Sequence, residues 1–166
     1  MSRQTTLKGN PLDLLGNELL PGDAAPDFSL TAKDLSQVKL ADTSGVRVFN
    51  VVPSLDTPVC DAQIRRFNEE AGGIEGVAVY CVSCDLPFAQ NRWCGAAGVE
   101  NVTTLSDYKD GNFGAAWGTM IDALRIQSRA VFVVNAFNTV VHAEYVPEVA
   151  SHPNYEAALA AARGAA

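Results

Sequence analysis

Cys60 lies in the stretch Pro53-Ser54-Leu55-Asp56-Thr57-Pro58-Val59-Cys60-Asp61-Ala62-Gln63-Ile64-Arg65-Arg66-Phe67, between two kinds of periodicity. The apolar run Val46 to Val52 enters it and reads as a buried strand. Ile64, Phe67 and Ala71 leave it on one helical face, with Arg65, Arg66, Asn68, Glu69 and Glu70 on the others. Thr57 suits an N-cap and Pro58 a first helical position. The thiol therefore falls in the first turn of a helix that follows a strand. Unpaired N–H groups and the positive end of the helix dipole there favour a thiolate over a thiol. The chemistry on offer is that of a sulfur nucleophile.

The other three cysteines separate by context. Cys94, in Phe88-Ala89-Gln90-Asn91-Arg92-Trp93-Cys94-Gly95, sits near the end of a short helix, beside a glycine that could end it. Beside Cys60 it is a candidate second thiol. Cys81 and Cys84 show a C-x-x-C spacing, which suggests zinc or a redox dithiol. They lie, however, in the strand-like run Val77 to Cys84, where residues three apart point to opposite faces. Cys81 reads as core, and Cys84 as a strand-end residue near the turn Asp85-Leu86-Pro87. His142 and His152 have no cysteine or carboxylate at ligand spacing, and nothing places either beside Cys60.

The elements that must position these groups follow from the pattern. Gln4 to Leu15 reads as an N-terminal hairpin turning at Gly9-Asn10-Pro11. Asp27 to Thr31 and Val38 to Leu40 are short strands, and Gly76 to Ser83 is a second buried strand. A helix follows Pro87, over Phe88 to Ala97, and Asp110 to Trp117 offers a further turn or two. Ala130 to Asn135 and Thr139 to Glu144 flank the turn Ala136-Phe137-Asn138, and Tyr155 to Arg163 closes as an Ala-rich helix. The order β-α-β-α, then β-β-α, predicts an α/β fold: a thioredoxin-like sandwich with a mixed central sheet flanked by helices. Residues 1–166 read as one domain. Sites in such sheets form beyond the carboxyl ends of parallel strands, where Cys60 falls.

Composition excludes several function classes. The chain has 166 residues, 48% of them hydrophobic, which excludes general disorder. The net charge of -7, with no Lys/Arg run, argues against nucleic acid or an anionic membrane surface. No apolar stretch approaches the roughly 18 residues of a spanning helix. Lys8, Asp13 and Glu18 interrupt the leucines that a signal peptide would need, so the expected compartment is the cytosol. Four cysteines there suggest catalysis, metal binding or burial.

Pro53-x-x-x-Thr57-x-x-Cys60 resembles the active-site signature of the peroxiredoxins, and its flanks resemble the atypical 2-Cys thiol peroxidase subfamily. The likeness extends to Asp85-Leu86-Pro87-Phe88-Ala89-Gln90 with Cys94, to Ser128 through Val133, to Val146-Pro147-Glu148 and to Pro153-x-Tyr155-Glu156-Ala157-Ala158-Leu159. It implies a thioredoxin-like fold and thiol-dependent reduction of hydrogen peroxide and alkyl or lipid hydroperoxides. Cys60 would be the peroxidatic nucleophile, Cys94 the resolving cysteine of the same chain, and thioredoxin the reductant. Thr57 would hydrogen-bond thiolate and peroxide, Pro53 would shield the pocket from water, and Arg129 would be the active-site cation. No cofactor or metal is implied, and a homodimer is. Read without the family, Arg129 is a charge at the rim of a strand, with Arg125 its rival, and Phe88, Trp93 and Trp117 are core residues or pocket walls. Cys84 replaces a common alanine, which would offer Cys60 a second partner, and Asn135 an expected aspartate. Two other readings remain at this point. A dithiol oxidoreductase would need a second thiol at the Cys60 turn, and a non-catalytic zinc-binding module would use the cysteines as ligands.

Overall fold

The computed structural model describes residues 3–166. Its strands, in chain order, are β1 (Arg3–Leu7), β2 (Asn10–Leu14), β3 (Ser29–Thr31), β4 (Gln37–Lys39), β5 (Val46–Val51), β6 (Val77–Ser83), β7 (Val102–Ser106), β8 (Met120–Ile121), β9 (Ile126–Gln127), β10 (Ala130–Val134) and β11 (Val140–Tyr145). The helices are α1 (Pro58–Glu70), α2 (Pro87–Ala97), α3 (Asn112–Trp117) and α4 (Tyr155–Ala165). The main sheet runs β11-β10-β5-β6-β7-β3-β4. Strands β5, β6 and β7 are parallel, joined by crossovers through α1 and α2, and the flanking strands run antiparallel. This is the mixed, helix-flanked sheet that the element order predicts.

Alternation along the central strands divides the core. On one face Val48, Val52, Val79, Cys81, Val131 and Val133 pack against Ile64 and Phe67 of α1 and Ala158, Leu159 and Ala162 of α4. Cys60, Gln63, Ile64 and Phe67 fall at helical spacing and form the buried stripe of α1. Burying one such Phe or Ile stabilises by about 1.5–3 kcal/mol, so the stripe fixes the rotation of α1 and with it the direction of Cys60. The other face holds Phe49, Val51, Val82 and Phe132 against Phe28, Phe113 and Trp117. Trp117 is fully enclosed there, stacked on Phe113 at 4.7 Å and edge-on to Phe132 at 5.1 Å.

Three differences from the pattern reading matter. The hairpin turns at Lys8-Gly9, both at positive φ, and Asn10 and Pro11 already belong to β2. A two-residue turn with both residues at positive φ matches the right-handed twist of its strands. Strand β7 completes the parallel trio but has no long apolar run, and β8 and β9 have only two residues each. Finally, α2 continues past Gly95 and ends at Gly98, whose φ of 67° supplies the left-handed cap.

Candidate active site

The sulfur of Cys60 is completely buried, on the third residue of α1, beyond the carboxyl end of β5. Thr57 has the extended backbone of an N-cap, but its hydroxyl accepts from no helical N–H and instead donates to the Ser54 carbonyl at 3.1 Å. Pro53 is buried in the same turn. The turn is fastened from below. The Asp85 carboxylate accepts the Ser54 hydroxyl at 2.8 Å and the Leu55 N–H at 2.9 Å.

Arg129 meets Cys60 from the neighbouring strand. It is no solvated rim charge, as its place before an apolar strand suggests, but only 1% exposed. Its Nη2 donates to the Cys60 sulfur at 3.2 Å, its Nη1 to Gln63 Oε1 at 2.9 Å and its Nε to the Val149 carbonyl at 2.7 Å. Gln63 in turn donates to Asn50 Oδ1 at 2.9 Å. The rival, Arg125, is well exposed, and its one ion pair among the described residues is with Asp122, at 3.7 Å. Among the described residues no carboxylate pairs with Arg129. A buried cation held by neutral oxygens is costly unless an anion joins it, and the acidic group at hydrogen-bond distance is the Cys60 thiol.

The carbonyl of Val149 is itself braced. Thr6 N–H donates to Pro147 and Val149 N–H to Thr6, so β1 and the segment after β11 hold one another. The Glu148 carboxylate accepts from Gly9 N–H and Ala150 N–H, which hold it below the usual range.

The remaining cysteines sort by side of the sheet. All four are free. Cys81 packs with Cys60 in the α1 face, and burial, reinforced by the nearby sulfurs of Cys60 and Cys94, pushes its thiol well up. Cys94 is half-buried on α2; burial raises it, and Thr104 opposes the rise. It opens on a cleft of about 580 Å³ lined by Thr104, Val99, Asn91, Lys33 and Asp34. Cys84 accepts a hydrogen bond from Gln127 at 3.7 Å, and Gln127 also binds Asp107 and Thr119 next to α3. Burial pushes it up to about 11, so it stays a thiol at neutral pH. Cys81 and Cys84 thus serve different layers, Cys81 within β6 and Cys84 at the bend just past its end. Of the three aromatic residues considered for a pocket, Trp117 is core, Phe88 is 67% exposed, and only Trp93 borders the turn before Cys60, across a cleft of about 280 Å³ shared with Leu55 and Asp56.

Gln63 and Asn50 carry no role in the sequence reading, and Asp85 enters it only as part of a turn and as the first residue of the Asp85–Gln90 block of the family likeness. Two of them had a signal. Gln63 is a polar residue in the apolar stripe of α1, and Asn50 is one in the middle of an apolar strand. Both are fully buried, which polar side chains adopt when they serve a network. Asp85 has a close partner in Ser83, two residues away, but Ser54 and Leu55, which it holds in the Cys60 turn, lie about 30 residues upstream, beyond any local pattern.

A family model described as Redoxin matches residues 20–159. The chain is 56% identical to the thiol peroxidase of Halalkalibacterium halodurans over 96% of its own length and 97% of the relative's. It is 52% identical to that of Bacillus subtilis, over 96% of each chain. A crystal structure of a peroxiredoxin-like protein from Aquifex aeolicus superposes with a TM-score of 0.93 at 39% identity, covering 100% of this chain and 99% of that one. With these likenesses running through every segment that builds the Cys60 pocket, the chain belongs to the redoxin family, in its thiol peroxidase branch.

Proposed function

We propose that the protein reduces hydroperoxides with electrons from thiols, using Cys60 as the nucleophile. The observation that carries this reading is the Cys60 sulfur, sealed from solvent and in contact with an Arg129 guanidinium that has no carboxylate partner among the described residues. The Cys60 thiolate attacks one peroxide oxygen, and the O–O bond breaks. The leaving oxygen takes up a proton and departs as water or an alcohol. Arg129 and the open N–H groups of the first turn stabilise the charge that moves onto that oxygen. Pro53 keeps water out, and the Thr57 hydroxyl, now on the Ser54 carbonyl, turns to the peroxide when it binds.

Cys60 is left as a sulfenic acid. Cys94 condenses with it to an intrachain disulfide, and a dithiol such as thioredoxin regenerates both thiols by exchange. Cys60 is fully buried and Cys94 opens on a cleft that Cys60 does not line, so the α1 turn and α2 loosen to bring the sulfurs into disulfide geometry. The turn of Cys84 toward Gln127 counts against its acting as an alternative partner. Alkyl and lipid hydroperoxides are the substrates, and the cytosol is the compartment. A homodimer suits the exposed Leu86 and Phe88 at the start of α2, and light scattering tests it.

Cys60→Ser is expected to abolish peroxide consumption. Cys94→Ser is expected to consume one equivalent and then fail to be recycled by thioredoxin. Steady turnover by the first variant would overturn the nucleophile, and steady recycling of the second would overturn the resolving role.

A further inference from the structure

Asp85 lies between β6 and α2, and its side chain faces the turn before Cys60. One carboxylate oxygen accepts the Ser54 hydroxyl at 2.8 Å. The other accepts the Leu55 N–H at 2.9 Å and the Ser83 hydroxyl at 2.7 Å. Its own carbonyl accepts the Ser106 hydroxyl at 2.5 Å. The residue is thus anchored to the ends of two parallel strands while it grips the connection that leads into α1. It also sits at the base of the helix that carries Cys94. Hydrogen bonds to a charged group contribute more than neutral ones, and several here meet on one carboxylate.

We propose that Asp85 is a positioning residue that latches the Cys60 turn shut and so sets the fate of the oxidised sulfur. The inference rests on the reading of Cys60 as nucleophile and Cys94 as its partner. With the turn closed, Cys60 is wholly buried and Cys94 opens on a separate cleft. With it open, the Cys94 thiol attacks the sulfenic sulfur; the S–S bond forms, the S–O bond breaks, and the thiol proton leaves with the oxygen as water. In the closed state a second hydroperoxide competes. Its O–O bond breaks, one oxygen passes to the sulfenic sulfur to give a sulfinic acid, and water or an alcohol leaves. The bonds from Ser54 and Leu55 to Asp85 hold the second state at the expense of the first.

The test is opening itself. In a Cys94→Ser background, which removes the resolving step, the rate of Cys60 alkylation by iodoacetamide reports how often the turn opens. Asp85→Ala is expected to raise it by about tenfold or more, and Ser54→Ala, which keeps the other two carboxylate bonds, by about threefold. With Cys94 intact, the hydroperoxide concentration at which half of Cys60 becomes sulfinic acid, read by mass spectrometry, is expected to rise by a similar factor in Asp85→Ala. A folded Asp85→Ala with unchanged alkylation and unchanged sulfinic midpoint would overturn the latch and leave a purely structural tie. If Asp85→Ala does not fold, Ser54→Ala decides alone by the same readouts. Peptide mapping of the oxidised parent chain separates the two layers. A missing Cys60–Cys94 bridge would overturn the resolving role, whereas the alkylation arm judges the latch without it.

Discussion

Arg129 carries its charge to a place that water does not reach, and it does so with every arm of the guanidinium fork engaged. A lysine at this position would bring charge without the fork. Its ammonium is a compact, strongly hydrated donor that cannot hold sulfur, amide and carbonyl in one plane. Arg129→Lys is therefore expected to lower the rate of peroxide reaction about 100-fold, by stopped-flow measurement, while the reduced chain stays folded. A loss of less than about threefold would show that charge alone suffices. At this scale the chemistry-bearing types were legible: a cysteine at a strand-to-helix turn and a second in a downstream helix. Arginine was legible only through the family likeness, because a charge beside an apolar strand looks the same whether it points to solvent or inward. Gln63 and Asn50 were not read at all, since their value lies in a chain of contacts that only the packing of α1 on the sheet creates.

Elements obey the same division. The long apolar strands and the striped helices announced themselves, since periodicity needs length to be visible. Strand β7 did not. Val102-Thr103-Thr104-Leu105-Ser106 is short and hydroxyl-rich, and it is a strand because β6 on one side and β3 on the other offer it ladders. The edge strand β11 carries a further test. His142 is half-buried there, with a buried Nε2 that finds no partner among the described residues. Burial holds its pKa below the ordinary value, against the pull of Glu144. Between the ordinary value of about 6.5 and that lowered value, the unfolded chain binds a proton that the folded chain refuses. Stability from this group is thus complete above about pH 6.5 and is lost as pH falls through the folded value. His142→Gln is expected to lose less stability than the parent chain between pH 7.5 and pH 5.5, in urea titrations at each pH. An equal loss in both would place the titration elsewhere.

At the scale of the whole molecule, one loop ties the small sheet to the Arg129 site. The small sheet β1-β2-β8-β9 touches the main body where Val149 packs with Leu14 and Ile121. The same loop lends its carbonyl to Arg129. Removing residues 1–15 is expected to lower the melting temperature and also to slow the reaction with peroxide, because the guanidinium loses a fixed acceptor. Retained peroxide kinetics in a destabilised truncation would restrict the hairpin to a structural role. The global arrangement of the sheet was foreseeable from element order, but this junction was not. It depends on contacts such as Thr6 with Pro147, 141 residues apart.

That junction has a practical corollary for anyone handling the protein. Thr6 ties β1 to the loop whose carbonyl holds Arg129, so an affinity handle that disturbs β1 would loosen the brace behind the reactive sulfur while leaving most of the secondary structure in place. Handles belong after α4, whose final residues are not among the hydrogen-bond partners of Arg129 in the described residues.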